Sequence, residues 1–154
     1  MTDLTLAKKK AEYYCNYQER SHQEVREKLY SFKLYSNQVE QIIAQLIEED
    51  FLNEERFAVQ FAGGKFRIKA WGKIKIKAAL KQKRISDYCI KKALNNISDD
   101  DYLEKLEQVI EKRIGLESKF SAQQSHSIAV YCMGRGFESE LVWSCIKKLT
   151  PSKK

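Results

Sequence analysis

The sequence predicts an all-α fold, an elongated tandem array of three three-helix repeats, and three observations carry that expectation. Turn formers are scarce: 154 residues hold six Gly and one Pro, Pro151. All-β chains need such residues every ~8–12 positions. Apolar residues recur at intervals of three and four almost throughout, which places them on one face of a helix. The chain also repeats itself. A shift of 51 residues carries Val25, Leu29, Leu34, Val39, Ile43 and Leu46 onto Ile76, Leu80, Ile85, Ile90, Leu94 and Ile97. A further shift of 52 reaches Ile128, Cys132, Phe137, Val142, Ile146 and Leu149, and every position stays apolar.

The elements follow in order. Leu4, Ala7, Ala11 and Tyr14 mark a first helix, Leu4 to Tyr17. Ser21 with Glu24 forms a capping box, in which side chains satisfy the free N–H groups of the first turn; Val25, Leu29 and Phe32 then make an apolar stripe. Ser36 starts a third helix, with Val39, Ile42, Ile43 and Leu46 inward. Asn53 is the next N-cap, leading to Phe57, Phe61 and Phe66. Ile68 to Lys77 alternates apolar and polar residues, a strand signal. Ile76 and Leu80 nevertheless match helical positions of the first copy, and the repeat overrides the alternation. Ser86 caps a helix through Tyr88, Ile90, Ala93 and Leu94. Ser98 and Asp101 suggest a second capping box, before Tyr102, Leu106, Val109 and Ile110. Glu138 to Leu149 is the last helix. The expected repeats span 1–50, 51–97 and 98–150, with a C-terminal tail at 151–154. A unit of about 50 residues is marginal alone; stacking in tandem buries its remaining apolar faces.

Composition narrows the function. Hydrophobic residues make up 43% and suffice for a core, while 32% are charged, against ~25% in ordinary globular domains. No apolar run approaches the ~20 residues of a membrane span. The opening MTDLTLAKKKAEYY lacks the apolar region of a secretion signal. Cys15, Cys89, Cys132 and Cys145 form no CxxC pair, and His22 and His126 stand apart from them. A cytoplasmic protein with reduced cysteines and no metal or cofactor is expected. An enzyme finds little support: GGK at Gly63 to Lys65 lacks the flanking pattern of a phosphate-binding loop, and Asp99, Asp100 and Asp101 read as helix N-terminal charge.

Charge is uneven. Residues 56–97 hold 12 basic and one acidic side chain, whereas residues 1–55 hold 7 and 11 and residues 98–154 hold 9 and 9. No acid lies between Glu55 and Asp87. Helices ordinarily mix signs, since Glu and Lys four apart support each other. A block that forgoes that support suits a polyanion or an acidic surface. Within it, Lys73, Lys77, Lys81 and Arg84 fall on one helical stripe about 16 Å long. The corresponding residues of the first copy are His22, Arg26, Tyr30 and Lys33, and those of the third are Ser125, Ala129, Met133 and Gly136. The binding candidates are Lys65, Arg67, Lys69, Lys73, Lys75, Lys77, Lys81, Lys83 and Arg84. Trp71 is expected in the core; Phe66 stands open between core and exposed stacking.

Three stretches resemble the RecX family of bacterial RecA modulators: SHQEVREKL from Ser21, LIEEDFLNEERFA from Leu46 and WGKIKIKAALKQKRI from Trp71, with a weaker MGRGF from Met133. The likeness runs from about Ala7 to Leu149. It departs where the family often has Gly before the apolar turn residue. Lys33, Asp50 and Arg84 stand there, and only Gly136 keeps it. Ala79 stands where the family often has Glu.

The resemblance implies a regulator of homologous recombination, DNA repair and the SOS response. Such a protein binds along the RecA–DNA filament and inhibits RecA's ATPase, strand-exchange and co-protease activities. It implies a monomer that contacts single- and double-stranded DNA without regard to sequence. The alternative from the residues is a helical DNA-binding protein or helix-turn-helix transcriptional regulator. Its candidate reading helix, SDYCIKKALNN from Ser86, opens poorly for base contacts.

Overall fold

The computed structural model describes residues 3–115 and 121–149, and all regular structure among them is helical. Pro151 and the tail at 151–154 lie outside the described residues. In chain order the helices are α1 (Leu4–Tyr17), α2 (His22–Tyr30), α3 (Ser36–Glu48), α4 (Glu54–Lys69), α5 (Lys73–Gln82), α6 (Asp87–Asn95), α7 (Asp99–Ile114), α8 (Ala122–Gly134) and α9 (Ser139–Leu149). They form three successive helix trios, as the internal periodicity requires. The IKIK part of the alternating segment, 74–77, is helical within α5, while Ala70, Trp71 and Gly72 link α4 to α5. Ile76 is fully buried while Ile74 is 56% exposed, so the residue types alternate but burial does not. Among the described residues no helix is long and apolar enough to cross a membrane.

The chain groups into two compact units, Met1–Phe61 with Leu80–Ala93, and Ala62–Ala79 with Leu94–Lys154. In the first, α1, α2 and α3 pack on one another. Ala7 and Ala11 give α1 a smooth face, and Val25, Leu29, Val39 and Leu46 fill the core without residual exposure. The predicted capping box is present: Ser21 Oγ accepts from the Glu24 N–H at 3.1 Å, and Glu24 Oε1 accepts from the Ser21 N–H at 3.1 Å. Asn53 Oδ1 accepts from the Arg56 N–H at 2.8 Å, which starts α4. The Arg56 side chain pairs with Glu19 and Asp50. Its hydrogen bond to Glu19 holds the guanidinium above its usual pKa.

In the second unit α7, α8 and α9 pack together. Leu106, Ile110, Ile128, Cys132, Phe137, Val142 and Ile146 are buried. Tyr102 lies between Phe66 and Phe137, with ring centroids 5.8 and 5.2 Å away. Tilted aromatic pairs at such spacing add to simple burial. Ser98 Oγ accepts from the Asp101 N–H at 3.1 Å, but no reciprocal bond from Asp101 completes the expected box. Asp is one methylene shorter than the Glu that closes the box at Ser21.

The turns answer the departures from family glycine. Lys33, Asp50 and Arg84 all adopt positive φ, 62°, 64° and 61°, as does Gly136 at 97°. At three of the four the chain reverses through the same backbone bond: Phe51 N–H to Leu46 O at 2.9 Å, Ile85 N–H to Leu80 O at 3.1 Å and Phe137 N–H to Cys132 O at 3.2 Å. That six-to-one bond is the helix-ending motif glycine favours. The buried apolar residue that follows (Leu34, Ile85 or Phe137) holds the turn even where the positive-φ residue carries a side chain. Ala70, at φ 53°, ends α4 in the same left-handed region.

Candidate polyanion-binding site

The candidates lie on the last turns of α4, on α5 and in the turn after it. Arg67 and Lys69 are exposed on α4, Lys77 and Lys81 on α5, and Arg84 in the turn. Lys65, Lys73, Lys75 and Lys83 are half-buried, with stems along aromatic rings. Lys65 Nζ and Lys75 Nζ sit 5.0 and 4.6 Å from the Trp71 ring centre. Lys73 Nζ is 4.9 Å from Tyr102, and Lys83 Nζ is 5.6 Å from Phe61. Trp71 is therefore half-exposed between two cations instead of in the core, and Phe66 takes the buried place at 5% exposure.

Helix α5 is locally unfavourable. It opens with Lys73, Lys75 and Lys77 and has no acid in its first turn, the reverse of what the helix dipole prefers. Its free N–H groups are satisfied from far along the chain. Gly72 N–H donates to Arg135 O at 2.7 Å, and Ile74 N–H to Gly136 O at 3.0 Å. Lys73 N–H donates to Tyr102 Oη at 2.9 Å, and that hydroxyl donates to Glu138. The Glu138 carboxylate thus stands one hydroxyl away from the positive end of α5. Burial, then Glu138, pushes the Tyr102 phenol well above its usual pKa, so it stays a donor. Arg135 Nε also donates to Ala70 O at 3.2 Å. The approach demands glycine: a Cβ on Gly72 would land on the Gly136 and Phe137 backbone.

Among the described residues Arg67, Lys69, Lys73, Lys75, Lys77, Lys81, Lys83 and Arg84 make no ion pair. Cations without carboxylates, flanked by a part-exposed indole, can bind successive anions and stack on one ring. No group of three His, Cys, Asp or Glu side chains among the described residues is placed to hold a metal. The four cysteines are buried, and burial pushes the Cys15 and Cys132 thiols up to about 11, away from nucleophilic use.

Sequence reasoning missed a second basic cluster, on α1 and α2. Lys9, Lys10, Tyr13, Tyr14, Tyr17, Arg20, Lys28 and Phe32 line an open groove of about 470 Å³. Tyr13 and Tyr17, four residues apart, were its available signal, but the net acidic charge of residues 1–55 hides it.

Helix trios repeated in tandem define an all-α repeat protein. The comparisons with known proteins agree. The family model described as "RecX, second three-helix domain" matches residues 53–94. The regulatory protein RecX of Clostridium acetobutylicum is 27% identical over 135 residues, covering 84% of this chain and 62% of the relative. That of Lactobacillus gasseri is 28% identical over 137 residues, covering 88% of this chain and 51% of the relative. The crystal structure of RecX from Lactobacillus salivarius superposes with a TM-score of 0.87 at 26% identity, covering 95% of this chain and 96% of that one. The chain is similar to RecX proteins in sequence over most of its length, and in fold. It spans about half to three fifths of the length of these first two curated relatives.

Proposed function

We propose that this chain regulates homologous recombination and DNA repair by binding the RecA nucleoprotein filament, without an enzymatic activity of its own. The reading is supported by similarity to regulatory proteins and by one observation above all: the cations from Arg67 to Arg84 make no ion pair among the described residues. In this reading a cytoplasmic monomer occupies the filament through the basic residues of α4 and α5. These meet DNA phosphates or acidic side chains of RecA. Occupancy suppresses ATP hydrolysis, strand exchange and co-protease activity. Contact with DNA is indifferent to sequence, because phosphates carry no base information.

The test is single-stranded-DNA-dependent ATP hydrolysis by the cognate RecA, titrated with this protein and with a Lys73→Glu/Lys77→Glu/Lys81→Glu variant. Suppression by wild type at less than one molecule per RecA, lost in the variant, supports the reading. A folded variant that inhibits as wild type sinks the α5 anchor. If neither affects RecA, general DNA binding becomes the better account, and sequence-selective binding of a duplex would favour the helix-turn-helix regulator.

A further inference from the structure

We propose that the groove on α1 and α2 is a second nucleic-acid site, which stacks an unpaired base of a single strand on Tyr13 and Tyr17 and holds the adjoining phosphates with Lys9, Lys10, Arg20 and Lys28. The site lies wholly within the first compact unit and rests on neither the α5 cations nor the filament reading.

Four observations carry it. The first is display: Tyr13 and Tyr17 are 73% and 74% exposed, although large rings usually gain by burial. They stand four apart on α1, hence on one helical face. The second is a built cationic floor. Arg20 Nε donates to Tyr14 O at 2.9 Å, and its guanidinium carbon lies over the Tyr14 ring, 3.6 Å from the centroid. Lys28 Nζ stands 5.3 Å from the same ring, and Lys10 Nζ is 5.4 Å from Phe32. The Arg20 terminal nitrogens have no protein acceptor among the described residues, so they remain free to donate.

The third observation is charge. The first 55 residues are net acidic, yet no carboxylate lines this groove. Three acids of the same segment are engaged elsewhere: Glu19 with Arg56, Glu24 with the Ser21 N–H and Glu27 with Gln23. The fourth is size. A groove of about 470 Å³ falls within the range of small-ligand sites. Aromatic faces among unpaired cations suit a base with its flanking phosphates better than an acidic peptide, which would satisfy the cations and leave the rings unused. A duplex hides its base faces, so the preference is for single strands.

The experiment is fluorescence anisotropy of a labelled 15-nucleotide oligo(dT) with the full chain, beside a Tyr13→Ala/Tyr17→Ala variant. Both rings project into solvent, so folding should survive, and circular dichroism checks this. Loss of one stacked base weakens single-strand binding about ten-fold, while affinity for a duplex of equal length changes less than two-fold. A Tyr13→Phe/Tyr17→Phe variant should restore the affinity, since stacking needs the ring and not the hydroxyl. Photocrosslinking of the 5-iodouracil form of the strand should place adducts within α1. Unchanged single-strand binding by the alanine variant, equal losses for single strand and duplex, or competition by polyglutamate as effective as by oligo(dT) would each overturn the proposal.

Discussion

The first and middle repeats put the same backbone to opposite electrostatic uses. In the first, Arg26 on α2 makes a two-pronged pair with Glu40 on α3, at 2.7 and 2.8 Å. The shift that superimposes the repeats carries Arg26 to Lys77 and Glu40 to Lys91. One copy closes a salt bridge, while the other places a cation at both positions. The helical scaffold therefore does not require the basic run of α5, since an equivalent helix forms with its charge satisfied. The turns make a parallel comparison. Lys33 and Arg84 hold positive φ with side chains attached, whereas at the third equivalent position Gly136 has no room for one.

The turn comparison breaks hardest at Gly136. A Cβ there would press on Lys75, 2.6 Å from its backbone nitrogen, against the start of the basic helix. Gly136→Ala should destabilise the protein by about 3 kcal/mol or more, in the range of backbone strain plus overpacking, read as a lowered midpoint in denaturant. Lys33→Ala, at the equivalent turn of the first repeat, should leave the midpoint nearly unchanged.

Giving the middle repeat the first repeat's acid sharpens the charge comparison. Lys91→Glu should weaken binding to single-stranded DNA several-fold at low salt and flatten the log–log salt dependence by about one to two counterions, because each lost phosphate contact removes about one. Stability should hardly move. A variant that binds as wild type would show that α6 lies outside the polyanion path.

Smaller effects follow at the turns. Arg84→Gly relieves a left-handed conformation that costs a side-chain-bearing residue roughly 1 kcal/mol. It should raise the thermal midpoint by a few degrees while weakening DNA binding through the lost cation. The smallest change belongs to Glu40→Gln. The pair is half-exposed, and such pairs contribute about 0.5 kcal/mol. Arg26 holds the Glu40 carboxyl below its ordinary value, so the native state favours the ionised form. Its contribution is present above the ordinary carboxylate pKa and fades as pH falls through the lowered one. The stability difference between wild type and variant should therefore vanish in acid, as measured by urea melts at neutral and acid pH.

Much of this organisation was legible because helix spacing is local. The apolar period, the Ser21, Asn53, Ser86 and Ser98 caps and the equal repeat offsets all lie within short reach along the chain. The basic block was equally plain, since composition alone reveals an excess that no neighbour cancels. What could not be read depends on contacts between distant residues. Trp71 leaves its expected core place because Lys65 and Lys75 close on the indole, and the open question of Phe66 is settled by its packing on Tyr102. The α1–α2 groove escaped because its cations come from two helices of a net acidic segment, and only their packing gathers them. Lys33, Asp50 and Arg84 depart from the glycine often found at such turns, yet all three hold the positive φ that the turns require.

The capping of α5 has a consequence for how the protein is made. A ribosome releases the chain from its N-terminus, so the lysines of α5 emerge well before Tyr102, Arg135 and Gly136 have been synthesised. During that interval the helix has neither its acceptors nor a favourable charge at its start. Helix α5 is thus capped only after Gly136 has been made, and a nascent or truncated chain that stops short of Gly136 carries the basic sequence without the organised helix that presents it.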